Sequence, residues 1–171
     1  MLNSGSKQQL LIATACSEEA AYSFNRGVVG GVESKIVRQS MPIEQFKLLS
    51  PSRGKISLWA THSSGQCPRL WENSNTSDLI LFYLGGEFRY LGMIGIRFES
   101  PELASVVWGE KFKKWQLFFE ILQLRKFRLS LKDFNGLFGF DARYKPQGLS
   151  RIAEERKSDP AASFESLLLK I

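Results

Sequence analysis

Asp78-Leu79-Ile80-Leu81-Phe82-Tyr83-Leu84-Gly85-Gly86, continued by residues 88–98 (FRYLGMIGIRF), carries the strongest fold signal in the chain. Residues 78–84 form a continuous apolar run of strand length, which predicts a strand buried on both faces. Gly85-Gly86 is a hairpin-type breaker. Residues 88–98 supply the returning strand. Gly92 and Gly95 inside it mark a bulge or a tight bend of the kind found at a barrel corner.

Outward from this hairpin, residues 55–61 alternate apolar with small or polar side chains over their first part. Residues 115–124 read as another apolar strand, and residues 127–131 alternate and can pair with it. Ser100 and Pro101 open a short helix as N-cap and first residue. Residues 133–140 form a turn or short helix. Ser17, followed by Glu18 and Glu19, starts a helix with acids in its first turn, and residues 27–31 (GVVGG) end it. Residues 10–13 can form a strand, and residues 43–49 stop at the turn cluster 50–54. Phe164, Leu167, Leu168 and Ile171 have helical spacing, and this apolar end suggests a domain cut from a longer protein. There is no internal repeat. The pattern predicts one α+β domain over residues 1–171, with a small curved sheet or barrel and flanking helices.

Composition narrows the function. The chain has 171 residues, 43% hydrophobic and 12% aromatic, which is enough apolar matter for a core and excludes disorder. No apolar run approaches the roughly 18 residues of a membrane helix, and no signal peptide is read at the N-terminus. Cys16 and Cys67 form no CxxC, so a disulfide scaffold and a Cys-based zinc site are excluded. His62 is the single histidine, which argues against His-based metal sites and triads. There is no GxxxxGK loop. Glu18-Glu19, Glu154-Glu155, Asp133 and Asp141 make no convincing acid/base pair. The expectation is a soluble, cytoplasmic domain with no metal and no membrane partner.

The net charge of +6 is concentrated. Residues 111–146 carry nine Lys/Arg against three Asp/Glu, and the flanking segments cancel. The same segment holds Phe112, Trp115, Phe118, Phe119, Phe127, Phe134, Phe138, Phe140 and Tyr144. Cations interleaved with π-faces suit a phosphate backbone with unstacked bases. They equally suit a buried aromatic strand flanked by solvated lysines.

Phe46-Lys47-Leu48-Leu49-Ser50-Pro51 followed by Leu58-Trp59-Ala60-Thr61 resembles the first strand and Trp-Ser-Thr motif of the PUA-like YTH and EVE domains. Ser77-Asp78 with the aliphatic run ending Phe82-Tyr83, then residues 90–96, Val107-Trp108 and residues 112–122, extend the resemblance over about residues 45–155. It implies a PUA-like barrel of about six strands with flanking helices, and binding rather than catalysis, with no cofactor. YTH members read N6-methyladenine, usually in single-stranded RNA. Related modules are the recognition domains of McrB-type, modification-dependent restriction proteins, which flip a methylated base out of DNA. Here Ala60 stands for the usual Ser, the helix before Trp59 is nearly absent, and residues 144–148 (YKPQG) with Arg151-Ile152 replace a late Arg-Asp-Gly-Gln motif. These departures favour the restriction-type branch.

On this resemblance the partners are methylated DNA, with single-stranded RNA as the alternative, and motor and nuclease subunits or domains. The base is N6-methyladenine. Burying its methyl stabilises by only about 0.8 kcal/mol, so a selective pocket needs several aromatics and some polar groups. Trp59 and Trp108 are the expected walls, with Trp71 as the alternative wall and Trp115 read as core. Tyr83 and Phe82 face opposite sides of one strand, and Tyr83 is taken as a lining residue. Thr61, Ser50, Ser52 and the backbone of Ala60 are the candidate base-edge contacts, although serines in a turn cluster also serve turn chemistry alone. Asn73 and Asn75 are loop residues. His62 can touch the ligand or simply be exposed. Lys113, Lys114, Arg125, Lys126, Arg128, Arg143 and Lys145 are the candidate phosphate contacts, with Arg53 and Arg69 outlying. An enzyme and a protein-interaction module built on the C-terminal helix are the other classes.

Overall fold

The computed structural model describes residues 8–157. The predicted helix over 161–171 lies outside them. In chain order the elements are β1 (Leu10–Thr14), α1 (Glu18–Phe24) running into a single π-helical turn (Asn25–Val29), β2 (Val32–Glu33), α2 (Ser34–Gln39), α3 (Ile43–Phe46), β3 (Lys55–Ile56), β4 (Leu58–Thr61), α4 (Cys67–Glu72), β5 (Leu79–Leu84), β6 (Glu87–Glu99), α5 (Pro101–Trp108), β7 (Leu117–Ser130), α6 (Leu131–Leu137) and β8 (Leu149–Arg151). Six strands form one curled sheet in the order β4-β7-β6-β5-β1-β8, and β2 and β3 pair separately. This is the α+β half-barrel that the sequence predicts.

The local chemistry explains the elements. Ser17 caps α1, its Oγ accepting from Ala20 N at 3.1 Å. Ser100 does the same for α5 through Leu103 N at 3.1 Å. Gly85 and Gly86 have φ of 58° and 90°, as a two-residue type I′ hairpin between twisted strands requires. Gly95 sits where a Cβ would collide with the Glu120 carboxylate on the adjoining strand.

Residues 79–84 are buried on both sides. Leu79, Leu81 and Tyr83 pack with Leu10, Ile12, Phe88 and α6 residue Phe134. Ile80 and Phe82 pack with Leu11, Ala13, Phe24, Trp59 and Phe119 beneath α1 and α4. A third cluster joins α2 and α5 to β4 and β7 through Val37, Leu58, Leu103, Trp108 and Phe118.

Three expectations are corrected. Residues 127–131 are not a second strand folded on 115–124: β7 runs unbroken from Leu117 to Ser130, and Gln123 at φ 50° absorbs the irregularity as a kink. Residues 55–61 split, the first two joining β2 and the rest the main sheet. The first strand is not residues 46–51 but β1, which pairs parallel to β5 and antiparallel to β8. Residues before 45 are therefore part of the fold.

Candidate functional site

The curl of the sheet brings its two margins, β4 and the β1–β8 pair, face to face. A pocket of about 240 Å³ lies in this seam, lined by Ala13, Thr14, Cys16, Ser17, Ala20, Trp59, Ala60, Thr61, His62, Cys67, Trp115, Gly148 and Leu149. Its size lies just below the ~300 Å³ lower end for ligand sites, the scale of a single planar ring system.

Two indoles make its aromatic walls. Trp59 and Trp115 meet edge to face, 6.1 Å apart at 71°. Trp59 is held from behind by Phe82 at 5.7 Å and Phe24 at 6.1 Å. The His62 ring packs on Trp115 at 4.8 Å. Ser63 N donates to Lys114 O at 3.1 Å, tying the loop after β4 to the segment before β7.

The polar groups of the pocket come from strand ends. Ile121 N donates to Ser57 O at 2.9 Å. Antiparallel alternation from that bond makes Trp59–Phe119 and Thr61–Leu117 the bonded pairs. The amide and carbonyl of Ala60 thus turn away from β7, towards the free margin that borders the pocket. The Ala60 side chain belongs to the third cluster, on the opposite face from Trp59. Its contribution to the pocket is therefore backbone. Ser17 Oγ accepts from Ala20 N and can still donate its own hydrogen inward. Burial, then the charge of Lys114, hold the His62 ring below its usual pKa, and Glu19 opposes both.

The structure brings Trp59, Ala60, Thr61 and His62 together and leaves the other named lining residues elsewhere. Trp108 is in the third cluster, stacked on Phe118 at 5.5 Å and 10°. Trp71 lies on α4 with its Nε1 donating to Phe118 O at 2.9 Å and the Arg97 guanidinium 5.2 Å from its ring. Tyr83 faces the first cluster, 5.1 Å from Phe88, and burial followed by Cys16 raises its phenol pKa. Ser50 donates its N–H to the buried Glu120 carboxylate at 2.6 Å. Ser52 closes a hairpin turn with Lys55, and Arg53 occupies the tip. Asn73 and Asn75 flank α4 as exposed residues.

The cations divide. Lys114 adjoins the pocket, next to Lys113, which pairs with Glu110 at 3.1 Å. Lys111 pairs with Glu19 of α1, also at 3.1 Å. Arg125, Lys126 and Arg128 lie on the second half of β7, with Arg128 on Glu87 at 2.9 Å. Arg143 pairs with Asp141 at 3.6 Å, and Lys145 is exposed. None of these five lines the pocket. Arg69 and Arg151 border a second cavity of about 470 Å³ with Gln9, Leu11, Gln66, Leu70 and Asn73. Gln66 Nε2 donates to Leu149 O at 3.2 Å, which links a residue lining the second cavity to one lining the first.

No protein-family model matches the sequence, and no curated protein matches it. Solved structures do. The N-terminal domain of Thermococcus gammatolerans McrB, bound to m5C DNA, superposes with a TM-score of 0.75 at 16% identity, over 95% of this chain and 98% of that one. This is the McrB N-terminal and YTH-like fold. The YTH domain of Zygosaccharomyces rouxii MRB1, in complex with N6-methyladenosine RNA, follows at TM-score 0.54 and 12% identity, over 96% and 86%. The Pho92 YTH domain, in complex with m6A, gives 0.55 and 11%, over 100% and 91%. The likeness to the McrB domain spans 95% of this chain, beyond the roughly 45–155 over which the sequence motifs resemble YTH and EVE domains.

Sequence reading missed Trp115, Thr14, Cys16, Ser17 and Cys67 as pocket residues. The signal for Trp115 was its place directly after Lys113-Lys114. A tryptophan that ends a basic loop just ahead of a strand sits at the end of the sheet, where one ring face can remain uncovered.

Proposed function

We propose that this chain is a nucleic-acid-binding module that reads a methylated base by extruding it into the Trp59–Trp115 pocket. The base is N6-methyladenine in DNA, and the module targets a modification-dependent restriction assembly whose motor and nuclease are carried elsewhere. One observation carries the reading: a pocket of about 240 Å³, with two indole walls and an outward-turned backbone margin at Ala60, in the seam of a McrB-like sheet. The indoles supply stacking worth about 1–3 kcal/mol per base. Ala60, Thr61 and Ser17 supply donors and acceptors for the base edge.

Extrusion costs a few kcal/mol, which phosphate contacts must offset. Lys113 and Lys114 flank the pocket on one side. Arg69 and Arg151 line the second cavity, which the Gln66–Leu149 bond links to the pocket. A strand whose base enters the pocket passes between these two sets. Arg125, Lys126, Arg128, Arg143 and Lys145 extend the positive surface for the rest of the duplex.

The test is a binding panel at two salt concentrations. It comprises duplex DNA with N6-methyladenine, 5-methylcytosine or neither, and single-stranded RNA with and without N6-methyladenosine. Tightest binding to the N6-methyladenine duplex, weakening as salt rises, is the expected result. Equal binding of methylated and unmethylated strands sinks the reading. Preference for the RNA supports the alternative, single-stranded RNA, which the YTH likeness favours.

A further inference from the structure

His62 is the single histidine of the chain and it stands at the pocket rim. Its ring packs on Trp115 at 4.8 Å, and neither ring nitrogen has a hydrogen-bond partner among the described residues. Charged groups face it from two directions. Lys114 lies on the segment before β7, and Glu19 lies on α1, where Lys111 already holds its carboxylate at 3.1 Å. The thiols of Cys16 and Cys67 are the other titratable groups lining the pocket.

We propose that His62 is a specificity-determining residue: its uncharged ring closes over the extruded base against Trp115, whereas its protonated form holds the phosphates of strands whose bases stay stacked. The proposal rests on the base-pocket reading above. A ring sandwiched between Trp115 and a bound base loses water, and desolvation disfavours the cation. Burial and Lys114 already push the ring in that direction. Base capture therefore expels a proton from His62, and its affinity falls as pH drops through the ring's pKa. A strand bound by its phosphates alone meets the ring at the exposed rim, beside Lys113 and Lys114. Anionic oxygens there favour the cation, so this binding strengthens as pH drops. The two dependences have opposite sign, and selectivity is an alkaline-side property.

The test uses the whole chain and paired duplexes of one sequence, carrying N6-methyladenine, 5-methylcytosine or no modification, titrated from pH 8 to pH 5. For the wild type, affinity for the preferred modified duplex falls by up to about tenfold per pH unit below the ring's pKa, while affinity for the unmodified duplex rises. His62→Gln flattens both trends and, without the ring that closes over the base, lowers the pH 8 preference. Because the histidine is unique, its ring proton resonance reports its pKa directly by NMR. The modified duplex should lower that pKa and the unmodified duplex should raise it. Identical pH profiles for wild type and His62→Gln, or a ring pKa that the modified duplex leaves unchanged, overturn the proposal. Equal binding of all duplexes at pH 8 removes the base-pocket reading and this proposal with it. Unequal binding at pH 8 with no pH trend removes this proposal alone.

Discussion

Trp59 and Trp108 are buried to nearly the same extent, 4% and 5% exposed, yet one lines the seam pocket and the other does not. Trp108 lies flat on Phe118 and abuts Gly27, so one ring face and one edge are covered by protein. Its Nε1 is buried without a partner among the described residues. Trp59 touches Phe24, Phe82 and Trp115 by edges, and the remaining side opens on the pocket. Fractional burial does not separate these two rings. What separates them is whether the neighbours lie parallel and close or edge-on with room left over.

The largest effects are expected at the two rings themselves. Trp59→Ala and Trp108→Ala should each destabilise the fold by about 3–5 kcal/mol in denaturant melts. Trp59→Ala should also erase the preference for methylated duplex, whereas folded Trp108→Ala should keep it. Loss of preference in both would place the two indoles in one site after all.

Glu120 sharpens the sealed side. Its carboxylate accepts from Ser50 N at 2.6 Å and Ile96 N at 3.2 Å. Glu120→Ala strands two amides, each costing about 1–3 kcal/mol where it remains buried. Melts should register that loss while the methyl preference survives. On the open side, Trp115→Ala removes a half-buried wall, so stability should change less than for Trp59→Ala. Binding of the methylated strand should weaken by about 1–3 kcal/mol in a titration. The smallest effect is expected at Lys114. Lys114→Gln removes a positive neighbour of His62, so the ring pKa moves up towards the ordinary imidazole value. The slope of log affinity against log salt falls by about 0.9 if one duplex phosphate contact is lost.

Much of the sheet was legible because its signals are local. The run 79–84, the glycine pair after it and the serine caps at 17 and 100 each declare an element within a few residues. The seam was less legible, since it depends on which margins meet. Trp59 stood out through a motif. Trp108 matched a motif equally well, yet its stacking on Phe118 follows from how α5 lies on β7. Trp115 reads as a strand residue by composition, but the strand starts two residues later, at Leu117. Ser52 closes a turn through its backbone, and Ser50 gives its backbone N–H to Glu120 across the fold.

The pairing of β1 with β8 has a consequence for how the protein is made. Gln9 and Arg151 are hydrogen-bonded although 142 positions separate them. The pocket draws Thr14 from the early side of that separation and Gly148 from the late side. A ribosome must therefore emit almost the entire described chain before a binding-competent molecule exists. Until then β1 waits with one margin open beside β5, a template for wrong strand partners. Chaperone dependence during synthesis, and slow refolding set by this long-range closure, are the expected signatures.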